Sequence, residues 1–397
     1  VKDWDKISGL TALAWKLRGR SLELAVRFGI ARPPKRKEND VVVIRQIPFH
    51  RSSISLVTLA IVAYNEEEYL PQLFADIVAQ EFPPQCLEVI LVDSNSAENL
   101  AQRKLMEDFK QADHGFARVE ILDNPKVIIP AGWNVALGAY SGDVFIRVDG
   151  HARIPSDFVV QNIIVLENGH DVCGGYRPVI LKEPGKWAYA LLAAESSAFG
   201  ASAASYRRAA KAQEVKSVFH TAFRREVLDA VGWYDERLLR TEDNDFNYRV
   251  RKAGYRIICD PSIYSEQYLR PSFGGLVRQK GKNGSWIGKT LFINSKAISL
   301  MHLVPLAFFI TVLGGLVVGL FYSWLPLLAL AAAYLCADVV ASISAAIRSS
   351  NRSLAMLALP VVFFTLHISY GAGTLFGIFS GMRQAVSEAF KPAGATG

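Results

Sequence analysis

The last quarter of the chain holds three long apolar stretches, and they limit most strongly what it can fold into. Leu303–Tyr322 carries no charge over about 20 residues, the length of a helix that crosses a bilayer. Trp324–Ile347 contains one acid, Asp338, and Leu354–Phe379 contains His367 and several glycines. Two or three spanning helices are expected, three being the preferred count. Asp338 and His367 read either as polar contacts between helices or as contacts to a lipid headgroup or phosphate. Lys280, Lys282, Lys289 and Lys296 precede the first stretch, Arg348 and Arg352 separate the second from the third, and the link at Ser323 is uncharged. Cationic loops stay on the cytoplasmic side. That rule places everything before Leu303, and the Arg348 loop, in the cytoplasm of a bacterial-type inner membrane.

The composition agrees. Of 397 residues 51% are apolar, and the net charge is +7. A cationic chain suits nucleic acid or a phospholipid surface; the apolar tail selects the membrane, and no nucleic-acid partner is expected. Near the start, Ile7, Leu10, Leu13, Leu17, Leu24 and Phe28 form a helical stripe among Lys6, Lys16, Arg18, Arg20 and Arg27. This helix lies in a headgroup interface or packs on the following domain. Cys86, Cys173, Cys259 and Cys336 show no metal spacing and read as small hydrophobes in a reduced compartment.

From Ile54 onward the pattern alternates between strand and helix. Val57–Ala63 is a continuous apolar run, as in a buried parallel strand, and Leu87–Val92 reads as another buried strand. Val119–Leu122 and Val144–Val148 continue the series, with helices expected at Glu66–Gln80, Leu100–Gln111 and Ala131–Ala139. The alternation predicts an open, mostly parallel α/β sheet with helices on both faces. Ligands of such sheets bind beyond the carboxyl ends of the strands. Two runs end there on an acid, Asp93 and Asp149.

Five segments carry candidate chemistry. In Ile61–Glu67 a buried strand runs into Tyr64, Asn65, Glu66 and Glu67, either a helix cap or a ligand contact. After Asp93 come small turn-formers; Asp93 can accept a hydrogen bond from a base imide N–H, though turns use the same residues. Asp149 and His151 flank Gly150, and both can reach one divalent ion, Mg2+ or Mn2+, completed by phosphate oxygens and water. Glu242, Asp243 and Asp245 crowd a helix start. They are either an acidic N-terminus pairing with Arg249 or the source of a general base. Arg278–Trp286 is basic and glycine-rich, suiting a flexible loop over a diphosphate or a membrane-surface patch.

In this order the motifs resemble glycosyltransferase family 2 with its GT-A fold, and its succinoglycan-type (ExoA-like) membrane enzymes in particular. The resemblance runs from about Ser55 to Trp286. It includes Val218–Glu226, Val231–Glu236 and Tyr370-Gly371-Ala372-Gly373. It implies that Tyr64 and Glu66 line the nucleoside pocket, that Asp93 meets the base, and that Asn134 sits near the donor. Asp149 and His151 stand where the family carries its metal-binding acid pair, with His in place of the second acid. Asp243 matches the catalytic base, with Glu242 beside it. Gln279, Lys282 and Trp286 stand where processive synthases carry a donor-binding motif. Here Lys282 occupies its fourth position and no Trp follows directly, which argues against a polymer-extruding synthase.

Five parts are expected: an interfacial segment and linker (1–50), a GT-A domain (51–270), a basic active-site loop and helix (271–300), a transmembrane region (301–380) and a tail (381–397). The resemblance implies an inverting, metal-dependent hexosyltransferase. It would use a uridine nucleotide sugar and a polyprenyl-linked saccharide acceptor in exopolysaccharide biosynthesis. A polyprenyl-phosphate sugar transferase, a short-chain polysaccharide synthase and a non-catalytic membrane scaffold are the alternatives.

Overall fold

The structure, a computed structural model, describes residues 53–94, 100–200, 211–269 and 272–389. The helix expected within 1–50 lies outside the described residues. In chain order the first half runs β1 (Val57–Ala63), α1 (Leu70–Val78), β2 (Leu87–Asp93), α2 (Leu100–Gln111), β3 (Arg118–Asp123), α3 (Ile129–Ala139), β4 (Val144–Asp149), β5 (Ala152–Arg153), α4 (Phe158–Glu167), β6 (Val172–Tyr176), β7 (Val179–Ile180) and α5 (Lys186–Ser196). There follow β8 (Gln213–Val215), β9 (Ala222–Arg224), α6 (Arg225–Val231), α7 (Glu242–Lys252), β10 (Ile257–Tyr264), β11 (Glu266–Tyr268), α8 (Phe273–Asn294), α9 (Val304–Phe321), α10 (Leu325–Arg348) and α11 (Leu359–Ala389).

Eight strands form one sheet in the order β3-β2-β1-β4-β9-β6-β10-β8, and β5-β11-β7 form a small second sheet. The expected open, mostly parallel sheet with helices on both faces is present. β1 is parallel to β2 and β4, and the register sets Ala63 beside Asp93 and Val62 beside Asp149. Both acids therefore flank the carboxyl end of β1. β9 is antiparallel to both β4 and β6. Side chains alternate across a strand. Leu59 and Ile61 enter a core with Leu73 and Phe158 on one face, while Ala60 joins Trp133, Phe223 and Phe246 on the other.

Two expectations about local structure change. The first helix starts at Leu70 rather than Glu66, because Pro71 fits only a first helical turn; Asn65, with φ of 54°, ends the strand in the left-handed region that Asn tolerates. The supposed loop at Arg278–Trp286 is the middle of the 22-residue helix α8. Its glycines meet backbone. A Cβ on Gly284 would stand 2.1 Å from the Tyr370 carbonyl oxygen, and one on Gly377 would stand 2.0 Å from that of Ser285. The glycines let α8 and α11 pack backbone to backbone, as small residues do between membrane helices.

Three helical stretches, Leu300–Phe321, Leu325–Arg348 and Leu354–Ser387, are long and apolar enough to cross a membrane. α5 joins them to the sheet domain through a core of Ala190, Leu191, Leu276, Ala345, Leu359 and Phe363.

Candidate active site

The site forms where β1, β2 and β4 end and α7 begins. Asp149 closes β4, a strand otherwise buried along its length. Its Oδ2 lies 3.5 Å from Nε2 of His220. His220 is buried, adopts φ of 48°, and places Nδ1 2.7 Å from the Ser265 hydroxyl. A bulky residue in the left-handed region carries strain, a frequent mark of a site that needs the side chain placed. Burial alone would raise the Asp149 carboxyl. The His220 N–H and the charges of His220, His151 and Arg177 outweigh it and hold Asp149 far below the usual carboxylate range. Burial lowers the His220 pKa, against the opposing hydrogen bond and charge of Asp149.

A directed hydrogen-bond chain fixes His151. The buried Arg177, stacked on Phe219, donates from Nη1 to Oε1 of Gln267. Arginine only donates. The Gln267 amide nitrogen must then be the group 2.8 Å from His151 Nε2. Nε2 is therefore the acceptor, and the proton sits on Nδ1, 2.9 Å from Glu66 Oε1. Burial lowers the His151 pKa, but the Glu66 bond and charge reverse this and the net shift is upward. Gly150 permits the approach: a Cβ there would sit 3.0 Å from Glu66 Cγ. Glu66 N–H in turn donates to Gln102, whose amide donates to Asp93 at 2.7 Å. Asp93 is 1% exposed, whereas Tyr64 is half exposed, a ring open to stacking.

The acid cluster opens α7. Both Asp245 oxygens are occupied, by Arg249 at 2.8 Å and Asn294 at 2.7 Å, which leaves Asp245 a structural role. Glu242 is buried and its Oε2 has no hydrogen-bond partner among the described residues. Burial and the Asp243 charge push Glu242 up to about 8. Asp243 is half-buried. Burial raises its pKa, opposed by Arg147. Arg147 lies sealed in β4 with its guanidinium 4.4 Å above the Trp133 ring and 3.0 Å from the Tyr234 hydroxyl. Its charge acts on Asp149, Glu242 and Asp243 together.

A model of glycosyl transferase family 2 matches residues 58–232, from β1 to the end of α6. The chain carries a family 2 glycosyltransferase domain. A relative from Methanococcus voltae, dolichyl N-acetyl-alpha-D-glucosaminyl phosphate 3-beta-D-2,3-diacetamido-2,3-dideoxy-beta-D-glucuronosyltransferase, is 23% identical over 80% of this chain and 96% of its own length. The succinoglycan biosynthesis protein ExoA of Rhizobium meliloti is 29% identical over 64% of this chain and 76% of its own. Among solved structures, a mannosyltransferase of Pyrobaculum calidifontis in complex with GDP-Man and Mn2+ is similar. It is 16% identical and covers 97% of this chain and 99% of its own, with a TM-score of 0.46.

In this glycosyltransferase domain, Tyr64, Glu66, Asp93, Asp149 and His151 gather at the strand ends, with Glu242 and Asp243 electrostatically coupled to Asp149. Asn134 stands apart in kind. Its amide clamps the Tyr234 backbone at 2.8 and 3.0 Å and reaches Glu236 at 3.2 Å, so its hydrogen bonds go to the chain itself. Gln279, Lys282 and Trp286 lie on α8 rather than in a loop; Lys282 is exposed, and Lys289 covers the Trp286 ring at 4.6 Å. Sequence reading assigned no role to Arg147, Arg177, His220 or Gln267. Arg147 left a signal, a charge inside an otherwise apolar strand, and His220 lies within the Val218–Glu226 motif.

Proposed function

We propose that the chain is an inverting transferase that moves a hexose from a uridine nucleotide sugar to a polyprenyl-linked saccharide at the cytoplasmic face of a membrane. The observation that carries this is Asp243: a half-buried carboxylate of raised pKa, within electrostatic reach of Asp149, on the helix that α8 ties to the membrane helices. A raised pKa makes a carboxylate a better proton acceptor. Asp243 takes the proton of the acceptor hydroxyl as that oxygen bonds to the anomeric carbon. The bond from that carbon to the nucleoside diphosphate breaks in the same displacement, which inverts the centre. Glu242 keeps its proton near neutrality and spares Asp243 a second adjacent negative charge.

A divalent cation fits the donor set in part. Asp149 offers an ionised, partly exposed carboxylate. His151 offers an Nε2 lone pair oriented through Nδ1 by Glu66, the arrangement common behind metal-binding histidines, but only by exchanging the Gln267 amide. Among the described residues no three His, Cys, Asp or Glu groups form a ready-made cage. When bound, Mg2+ or Mn2+ would neutralise the departing diphosphate. Tyr64 and Asp93 support a uracil base. The lipid acceptor is supported by the name of the Methanococcus relative and by the apolar tail.

The test is a donor screen on purified full-length protein with Mn2+ and lipid-linked acceptors. Release of uridine diphosphate together with a heavier lipid product supports the reading. Absence of sugar-nucleotide turnover across the screen sinks it. Calorimetry with tighter binding of guanosine diphosphate than uridine diphosphate overturns the base assignment alone.

A further inference from the structure

We infer that α11 is an interfacial helix lying along the membrane surface beneath the catalytic domain, so the chain crosses the bilayer twice, through α9 and α10. The inference rests on reading those two helices as spans.

The starting point is what α11 packs against. Ser369 bonds the Val277 carbonyl at 2.9 Å. From there the two helices run parallel: Gly373 meets Gly281, Thr374 meets Gly284 and Gly288, and Gly381 meets Lys289 and Phe292. α8 carries Arg278, Lys280, Lys282 and Lys289, and so many cations exclude it from the hydrocarbon core. It is also fastened to the water-exposed domain, by Arg240 to Asn283 at 3.0 Å and Asn294 to Asp245 at 2.7 Å. Whatever depth α8 occupies, Ser369–Gly381 shares it.

The remainder is too short to span. Leu354–Ile368 is about 15 residues, or about 22 Å of helix, against a core of about 30 Å. That part is itself taken up by the sheet domain: Phe363 sits 5.3 Å from Phe199, and His367 Nε2 lies 2.7 Å from the Phe199 carbonyl. α9 and α10 pair with each other, Gly315 against Leu327 and Gly319 against Trp324, as a two-helix hairpin, and α11 meets both near one end, through the Tyr334 hydroxyl at 2.9 Å from His367 Nδ1 and Phe308 against Phe364. Gly371, midway along α11, touches the Pro305 carbonyl in the first turn of α9. α11 thus crosses the mouth of the hairpin.

The exposed side of α11 fits that position. Val361, Phe364, Phe376, Phe379, Met382 and Val386 are exposed, and at 100° per residue they fall within about a third of the circumference. The opposite side faces α5 and α8. Thr365 and Arg383 interrupt this stripe; a mainly apolar face with a cation that can reach headgroups, joined to two spans and lying under a cationic helix, matches an acyl–headgroup boundary as the covering surface.

The test uses the full chain in sealed vesicles, with Ser323→Cys, Ser350→Cys and Ser387→Cys introduced singly in a Cys336→Ser background and a membrane-impermeant maleimide. Ser387→Cys should label from the same side as Ser350→Cys and opposite to Ser323→Cys. Labelling with Ser323→Cys instead restores a third span and overturns the inference. Nitroxide depth at Val361→Cys and Val386→Cys gives a second reading. In a spanning helix these sites differ by about 38 Å in depth; along the surface, about 20° apart around the helix, they lie at nearly the same depth. Extraction of the unaltered chain by carbonate would instead remove the reading of α9 and α10 as spans.

Discussion

The Thr241 and Thr290 hydroxyls meet at 2.6 Å, and the direction of that bond is settled by a neighbour. Thr290 spends its own proton on the Trp286 carbonyl, so Thr241 donates. Thr241 stands at the N-cap of α7 yet does not cap it. Its hydroxyl secures the first turn, which holds Glu242 and Asp243, to α8. Thr290→Val should lower the transfer rate about three- to tenfold, the scale of one lost buried hydrogen bond. Uridine diphosphate affinity should hold steady; a parallel loss of affinity in calorimetry would count against the assignment.

Asp243→Asn keeps the shape and removes the proton acceptor. Its transfer rate should fall on the order of a hundred- to ten-thousand-fold, with nucleotide binding preserved. Near-full transfer by Asp243→Asn, together with abolition by Glu242→Gln, would move the base by one residue.

Glu242 also predicts a pH dependence of stability. Its folded pKa, near 8, exceeds the ordinary carboxylate value, so the folded state binds the extra proton. That contribution is whole below the unfolded pKa and is lost as pH rises through the window up to about 8. Thermal stability in detergent should decline across that window, and Glu242→Gln, which mimics the protonated form, should flatten the decline. An equal decline in the variant would show that other groups cause it.

Activity should vanish on exhaustive chelation and return with Mn2+. Asp149→Ala should lose donor binding along with turnover, and His151→Asp should keep part of both. Gln267→Met removes the amide that competes for His151 Nε2, so Mn2+ affinity in the presence of uridine diphosphate should rise about two- to tenfold, the equivalent of one neutral hydrogen bond. Weaker Mn2+ binding by this variant would mean that Gln267 assists the ion instead.

The glycine seam predicts a structural lesion remote from the chemistry. Gly284→Leu drives a side chain into the Tyr370 carbonyl, and overpacking of this kind costs about 1–3 kcal/mol or more. Size-exclusion chromatography after a heat step should show a clear loss of folded protein. Lys282→Leu, at an exposed position of the same helix, should survive the step.

The parts legible in sequence were those whose cause is local. β1, β2 and β4 announced themselves because strands buried on both faces are mostly apolar along their length, and Asp93 and Asp149 mark the ends of β2 and β4. α8 was misread because the cost of a glycine in a helix depends on its neighbour, and that neighbour, around Gly373, lies about ninety residues away. The same holds for His151. Its tautomer is set by Arg177 through Gln267, three residues brought together only by the small sheet in which Gln267 pairs with Ala152 and Val179. Asn134 lay near enough in pattern to be chosen, while its hydrogen bonds go to a loop a hundred residues on.

Arg147 gives the site an unusual relation to ionic strength. Mobile ions weaken the pull between charges they can surround, and the shell of Trp133, Tyr234 and sheet keeps them from this guanidinium. Added salt will thus slow the arrival of an anionic donor at a cationic surface. The acidity of Asp243, raised by burial and held back by a charge the solvent cannot reach, will shift less with salt than an exposed ion pair would.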